Sequence, residues 1–352
     1  MPRLARAAWV LAFLPASLVG ACTVDTAPEG PSGSAGAPAN NAGASSSGAP
    51  SGGAPIVPGA GSVNGGAAGS AAGTAGTFAS SGSGGASAGT GGGSSGSSGL
   101  PTGPTAGCSK QVADEPGKDV LHNITVQGVA RRYWTKMPEG YAPGTPLPLV
   151  FYGPGCGASG VEGAPLDNSI KGDAIRVFVI GVGSCFDTKG PEPETGYFNA
   201  VLDEVQANYC TDKGKVFVSG YSSGAWLSML LACTAGDRIT AIGTAAGGFR
   251  ADHPACKGNP AAMFHAGTGD TANPITKLNA MGVNEGSSAG RDRMLMANGC
   301  SMETKPYDPA FPECKEYVGC TSPVVWCEEN VGHSNGEEVA RSGWWKFWSS
   351  LK

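Results

Sequence analysis

Apolar positions are spread unevenly along this chain, and their spacing marks out its elements. Residues 120–127 and 130–136 read as two strands around Gly128. The run Pro-Leu-Val-Phe-Tyr at 148–152 is stopped by Gly153, Pro154 and Gly155, the pattern of a buried strand entering a tight loop. A second such run covers 176–182. Between 197 and 209 the period changes. Phe198, Val201, Leu202 and Val205 fall at helical spacing, with Asp203 and Glu204 on the other face. A strand at 215–219 then runs into Gly-Tyr-Ser-Ser-Gly at 220–224, followed by a helical stretch over 225–233. Further strands are expected at 239–244, 262–265 and 323–327. A closing helix over 337–351 is rich in aromatics: Trp344, Trp345, Phe347 and Trp348. Strands alternating with helices predict an α/β fold with a mostly parallel sheet covered on both faces.

The N-terminal third has a different pattern. Arg3 and Arg6 precede an apolar run that ends at Ala21, the layout of a signal peptide over 1–21 and too short for an ordinary spanning helix. The run closes on Leu18-Val19-Gly20-Ala21-Cys22, which resembles the lipobox of bacterial lipoproteins. That resemblance implies lipidation at Cys22 and, with Thr23 next, an outer-membrane lipoprotein; ordinary secretion to the outside is the alternative. Residues 23–107 are almost entirely Gly, Ser, Ala, Pro and Thr, with Asp25 and Glu29 as the only charged side chains. Such a segment lacks the apolar surface to offset ordering entropy, so a disordered linker is expected. As a flexible coil it would reach about 50 Å. The remaining 108–352 suits one domain with a single core.

The net charge of −5 is modest and no Lys/Arg stripe appears, which gives nucleic-acid binding no support. Membrane contact is expected only through a lipid at Cys22. Ten cysteines remain downstream of Cys22: Cys108, Cys156, Cys185, Cys210, Cys233, Cys256, Cys300, Cys314, Cys320 and Cys327. An even, high count after an export signal reads as disulfides, whose pairing the sequence leaves open. No C-x₂-C pair occurs and the chain has 4 histidines, so no metal or other cofactor is expected.

The candidate chemistry centres on G-x-S-x-G at 220–224. A strand–turn–helix setting holds such a serine on a sharp turn with its hydroxyl exposed, which makes Ser222 the candidate nucleophile. The bare pattern also occurs around Ser87 and Ser94, but there no strand precedes it and no helix follows. The base should follow late in the chain, and His333, in the small-residue loop 331–336, is the histidine placed for it. Asp270 ends a Gly-rich turn after the strand run at 262–265 and is the candidate acid. Its alternative is a helix cap, with Asp252 as the fallback acid. His265, inside the strand run, reads as structural. The amides of Ser223 and of a residue near Cys156 are the candidate oxyanion donors; Cys156 is also a candidate disulfide partner. Tyr197, Tyr221 and Trp226 are candidate pocket aromatics.

Taken together, residues 108–352 resemble the secreted polyhydroxybutyrate depolymerase and feruloyl esterase family of α/β hydrolases. The resemblance is carried by Tyr209-Cys210-Thr211-Asp212, Gly-Tyr-Ser-Ser-Gly, His265-Ala266-Gly267-Thr268-Gly269-Asp270, and Gly332-His333 before the aromatic helix. It implies an α/β-hydrolase fold, a triad of Ser222, Asp270 and His333, and an oxyanion hole of the Ser223 and Cys156 amides. The implied substrates are polyhydroxybutyrate-type polyesters or the feruloyl and acetyl esters of plant polysaccharides. One position departs from the family: its oxyanion loop reads His-Gly-Cys-Gly, and here Pro154 replaces the histidine. The rival expectation is a non-catalytic surface binding protein on a hydrolase fold.

Overall fold

The computed structural model describes residues 99–161, 166–170, 172–333 and 336–351. The leader, Cys22 and the linker through residue 98 lie outside these. All described residues belong to the unit Ala88–Lys352. Among the described residues there are ten strands: β1 (Asp119–Val126), β2 (Val129–Lys136), β3 (Leu147–Gly153), β4 (Ile175–Val179), β5 (Thr211–Tyr221), β6 (Ala241–Ala245), β7 (Ala261–Gly267), β8 (Thr304–Asp308), β9 (Phe311–Tyr317) and β10 (Val324–Glu329). The helices are α1 (Asp167–Ile170), α2 (Pro191–Asn208), α3 (Ser223–Thr234), α4 (Ser287–Ala297) and α5 (Gly336–Ser349).

One sheet contains all ten strands in the order β1-β2-β4-β3-β5-β6-β7-β10-β9-β8. The six central strands are parallel, and an antiparallel pair closes each end. Because side chains alternate along a strand, each apolar run serves two cores at once. Leu149 and Phe151 of β3 face one core with Val218, Ile242, Phe264 and the apolar stripes of α2 and α3. Val150 and Tyr152 face the other, with Phe217, Met263, Trp344, Phe347 and Trp348. Gly243 explains how α5 sits so close: a side chain there would put its first carbon 2.6 Å from the Trp344 indole.

The ten cysteines pair as Cys108–Cys210, Cys156–Cys185, Cys233–Cys256, Cys300–Cys320 and Cys314–Cys327. Bridges of this number form and persist in an oxidising compartment. Among the described residues no helix is long and apolar enough to cross a membrane.

Several sequence expectations shift. The ordered body takes in residues that composition assigns to the linker. Pro104 bridges to Asp212, and Thr105 donates through its hydroxyl to the Tyr209 carbonyl at 2.9 Å. The run at 176–182 ends as a strand at Val179, because Gly181 turns so tightly that a side chain would lie 2.2 Å from the Cys185 carbonyl oxygen. Helix α2 starts earlier than its apolar spacing indicated, at Pro191, where proline's missing N–H costs nothing. Helix α4 and strands β8 and β9 were not anticipated. The two strands carry Pro306, Pro312 and several charges and lie at the sheet's end, where apolar alternation is not required.

Candidate active site

Ser222 stands at the junction of β5 and α3 with φ +52° and ψ −116°. A non-glycine residue there is strained by about 1–3 kcal/mol, so the surroundings must hold it. The two motif glycines explain how. A first side-chain carbon at Gly220 would lie 2.2 Å from the Gly224 backbone, and one at Gly224 would lie 1.8 Å from the Gly153 carbonyl oxygen. Only glycines let β5 fold straight into α3 while both rest against β3. The Ser222 amide also donates to the Ala245 carbonyl at 3.0 Å, fixing the turn to β6.

His333 is brought over this turn from the loop after β10. Its Nε2 lies 3.1 Å from Ser222 Oγ and its Nδ1 lies 2.8 Å from Asp270 Oδ2. With the ring proton on Nδ1, His333 donates to Asp270 and accepts from the serine hydroxyl. Asp270 follows β7 and is buried. Its second oxygen, Oδ1, accepts the amides of Ala272 at 2.9 Å and Asn273 at 2.8 Å. The carboxylate thus caps a turn and meets the imidazole at once, one oxygen for each task. No helix starts there. Asp252 makes no contact with His333 among the described residues.

Further residues brace this pair. Asn273 donates from Nδ2 to the Ala246 carbonyl at 2.9 Å and accepts at Oδ1 from Trp226 Nε1 at 3.2 Å. Ala246 itself has φ +54°, so the Asn273 bond secures a second strained residue. The Tyr221 hydroxyl donates to the His333 carbonyl at 2.9 Å, with the two rings 5.2 Å apart. Burial and the nearby Asp270 charge push the Tyr221 phenol up, which keeps it a neutral donor. The acid and histidine loops are also stitched by main chain: Thr268 N donates to Glu329 O at 2.8 Å and Gly269 N to Val331 O at 3.1 Å. Of the three candidate aromatics, Tyr221 and Trp226 lie in the site. Tyr197 does not; it is 1% exposed, and its hydroxyl donates to the Arg132 carbonyl. His265 is buried beneath the site, with Nδ1 2.9 Å from Glu329 Oε1. Asn273 escaped the sequence reading, because an asparagine three residues past an acid carries no distinctive pattern.

The loop after β3 passes directly beside Ser222: a side chain at Gly155 would place a carbon 3.4 Å from Ser222 Cβ and 3.2 Å from the Tyr221 ring. The Pro154 carbonyl accepts Gly224 N at 3.0 Å and Ser223 Oγ at 3.1 Å. Gly157 N donates to Ser184 O at 2.9 Å, and Cys156 is bridged to Cys185. The loop that carries Pro154 in place of histidine is therefore held by a carbonyl and a disulfide. Ser223 is the first residue of α3, where an amide has no carbonyl one turn back to bond. A groove of about 570 Å³ is lined in part by Arg131, Arg132, Gly157, Ser159 and Ser184. Among the described residues no group of His, Cys, Asp and Glu is arranged to hold a metal ion.

No protein-family model matches the chain. Feruloyl esterase D of Neurospora crassa is 27% identical over 276 residues, covering 70% of this chain and 90% of that protein. Feruloyl esterase C of Emericella nidulans is 24% identical over 262 residues, covering 68% and 89%. The chain is a feruloyl esterase-like α/β hydrolase. It is a serine carboxylic ester hydrolase. Among solved structures, a ferulic acid esterase of Anaeromyces mucronatus aligns with a TM-score of 0.44 at 15% identity, over 71% of this chain and 96% of that one.

Proposed function

We propose that Ser222 is the nucleophile, His333 the general base and Asp270 the residue that orients and stabilises His333. The supporting observation is the span of the His333 ring between Ser222 Oγ and Asp270 Oδ2. As Ser222 attacks an ester carbonyl, His333 takes its proton at Nε2, and the buried Asp270 stabilises the imidazolium. The amides of Ser223 and Cys156 receive the developing oxyanion, each such donor being worth about 10²–10³ in rate. His333 returns the proton to the leaving alcohol, and water then releases the acid from Ser222 by the same steps.

The substrate is a feruloyl or acetyl ester of a plant polysaccharide, ahead of a polyhydroxybutyrate-type polyester; the likeness to feruloyl esterases supports the feruloyl side of this reading. The protein works outside the cytoplasm, anchored through a lipid at Cys22 and extended from it by the linker. Five disulfides and the lipobox-like sequence support that placement. A short-chain p-nitrophenyl ester tests the site: turnover by the parent and none by Ser222→Ala is expected, and equal turnover would overturn it. Methyl ferulate against hydroxybutyrate oligomers then separates the substrate classes. The mass of the mature N-terminal peptide reads the lipid.

A further inference from the structure

The loop that follows β6 carries a cation for which the proposed chemistry has no use. Arg250 donates from Nε to Thr188 Oγ1 at 3.2 Å, and its guanidinium carbon lies 5.1 Å from the centre of the Trp226 ring. These two contacts pin the fork. Among the described residues no carboxylate lies within ion-pair distance of it, and its two terminal nitrogens have no acceptor. Asp252, the nearest acid along the chain, is exposed.

Trp226 ties this cation to the reacting serine. It stands four residues past Ser222, about 6 Å along the helix axis. Its Nε1 donates to Asn273, whose amide in turn donates to Asp270. Ser222, Trp226, Asn273 and Arg250 are all partly exposed and come from α3 and from loops at the C-terminal ends of β5, β6 and β7. They therefore share one rim. A second cation lies nearby: the Arg293 guanidinium is 5.0 Å from the Phe249 ring. His253 packs edge-on against Phe249, and its pKa is pushed down chiefly by burial; the Thr188 carbonyl and the Asp252 charge oppose that shift, and the Arg250 and Arg293 charges add to it.

A guanidinium held on an aromatic face, with its fork open, fits a carboxylate with two parallel hydrogen bonds. We propose that Arg250, seated on Trp226, binds a carboxylate carried by the ester substrate, so that anionic esters are turned over in preference to neutral ones of the same shape. This rests on the reading of Ser222 as nucleophile. The carboxylate belongs either to the acyl part or to the alcohol part, such as a uronic acid unit.

Two pairs of esters distinguish these on the full chain. Mono-p-nitrophenyl succinate against p-nitrophenyl butyrate tests the acyl side. Acetylated galacturonate against acetylated galactose tests the alcohol side. In Arg250→Gln the ratio of kcat/KM, anionic to neutral, is expected to fall by about 10-fold or more in one pair, mainly through KM. Because the readout is a ratio, a general loss of activity cancels. Arg250→Lys should recover part of the ratio, since a point charge cannot make two parallel bonds. Added salt should lower the parent's ratio. An unchanged ratio in both pairs overturns the proposal. If the parent turns over none of the four esters, the esterase reading falls first, and this one with it.

Discussion

Ser222 and the Asp270–His333 pair reach the same cleft by different routes. The serine is set by neighbours in sequence: two glycines with no room for a side chain, a strand before it and a helix after it. The pair is separated by 63 residues and comes from loops after β7 and β10, which are adjacent and parallel only in the folded sheet. Trp226, Asn273 and Tyr221 then hold the pair against the serine from α3, from the acid loop and from the elbow itself. A nucleophile can be specified by local sterics because it needs one backbone angle. An acid–base pair needs a distance between two chain segments, which only tertiary contacts supply.

Breaking each side separately tests this division. The largest effect is expected from Ser222→Ala, which should lower kcat/KM for a p-nitrophenyl ester by at least about 10⁴ while leaving the thermal midpoint nearly unchanged. Asp270→Asn should cost about 10³–10⁴ in kcat, because it disturbs the imidazole tautomer that the serine needs. A loss below 10-fold would mean that another acid serves His333. Trp226→Phe removes the indole N–H that Asn273 accepts and narrows the aromatic seat under Arg250, so its effect is read on a neutral ester. A kcat loss of about 3–10-fold with a steady KM is expected, as for small misplacements of a catalytic group. An unchanged kcat would show that the brace is dispensable.

The remaining predictions act on stability. Gly243→Ala forces the Trp344 indole away from the sheet and should cost about 1–3 kcal/mol, read from denaturant unfolding. Esterase activity at low temperature should persist, since this contact lies on the face of the sheet away from α3. His253 provides the smallest effect. Its pKa is pushed below the usual 6.5, chiefly by burial. Protonation therefore favours the unfolded chain, so its stabilising contribution is complete above pH 6.5 and is lost as pH falls below it. The slope is at most about 1.36 kcal/mol per pH unit. Unfolding measured at pH 5 and 7 should show this slope flattened in His253→Asn.

The legibility of the chain follows the same division. The central strands were readable because burial on both faces makes them continuous apolar runs, and α3 because it follows the elbow. Strands β8 and β9 were not, since an end pair rich in proline and charge carries no apolar signature. Among the proposed site residues, Ser222 had a steric motif, and Asp270 and His333 were proposed from chain order and family likeness. Asn273 had no signal at all, because its role depends on Trp226 and Ala246, 47 and 27 residues away.

By itself the sequence determined the alternation of strands and helices, the elbow, the even cysteine set and the low-complexity stretch before the folded body. These depend on periodicity, on side-chain volume and on counting, all of which are local or additive. The tertiary structure alone decided which cysteines pair, which aromatics lie beside Ser222 and how the Pro154 carbonyl keeps the loop after β3 against α3. It also left Arg250 pinned on Trp226 without an acidic partner among the described residues. Each of these is a distance between segments far apart in the chain, and such distances exist only once the sheet has been assembled.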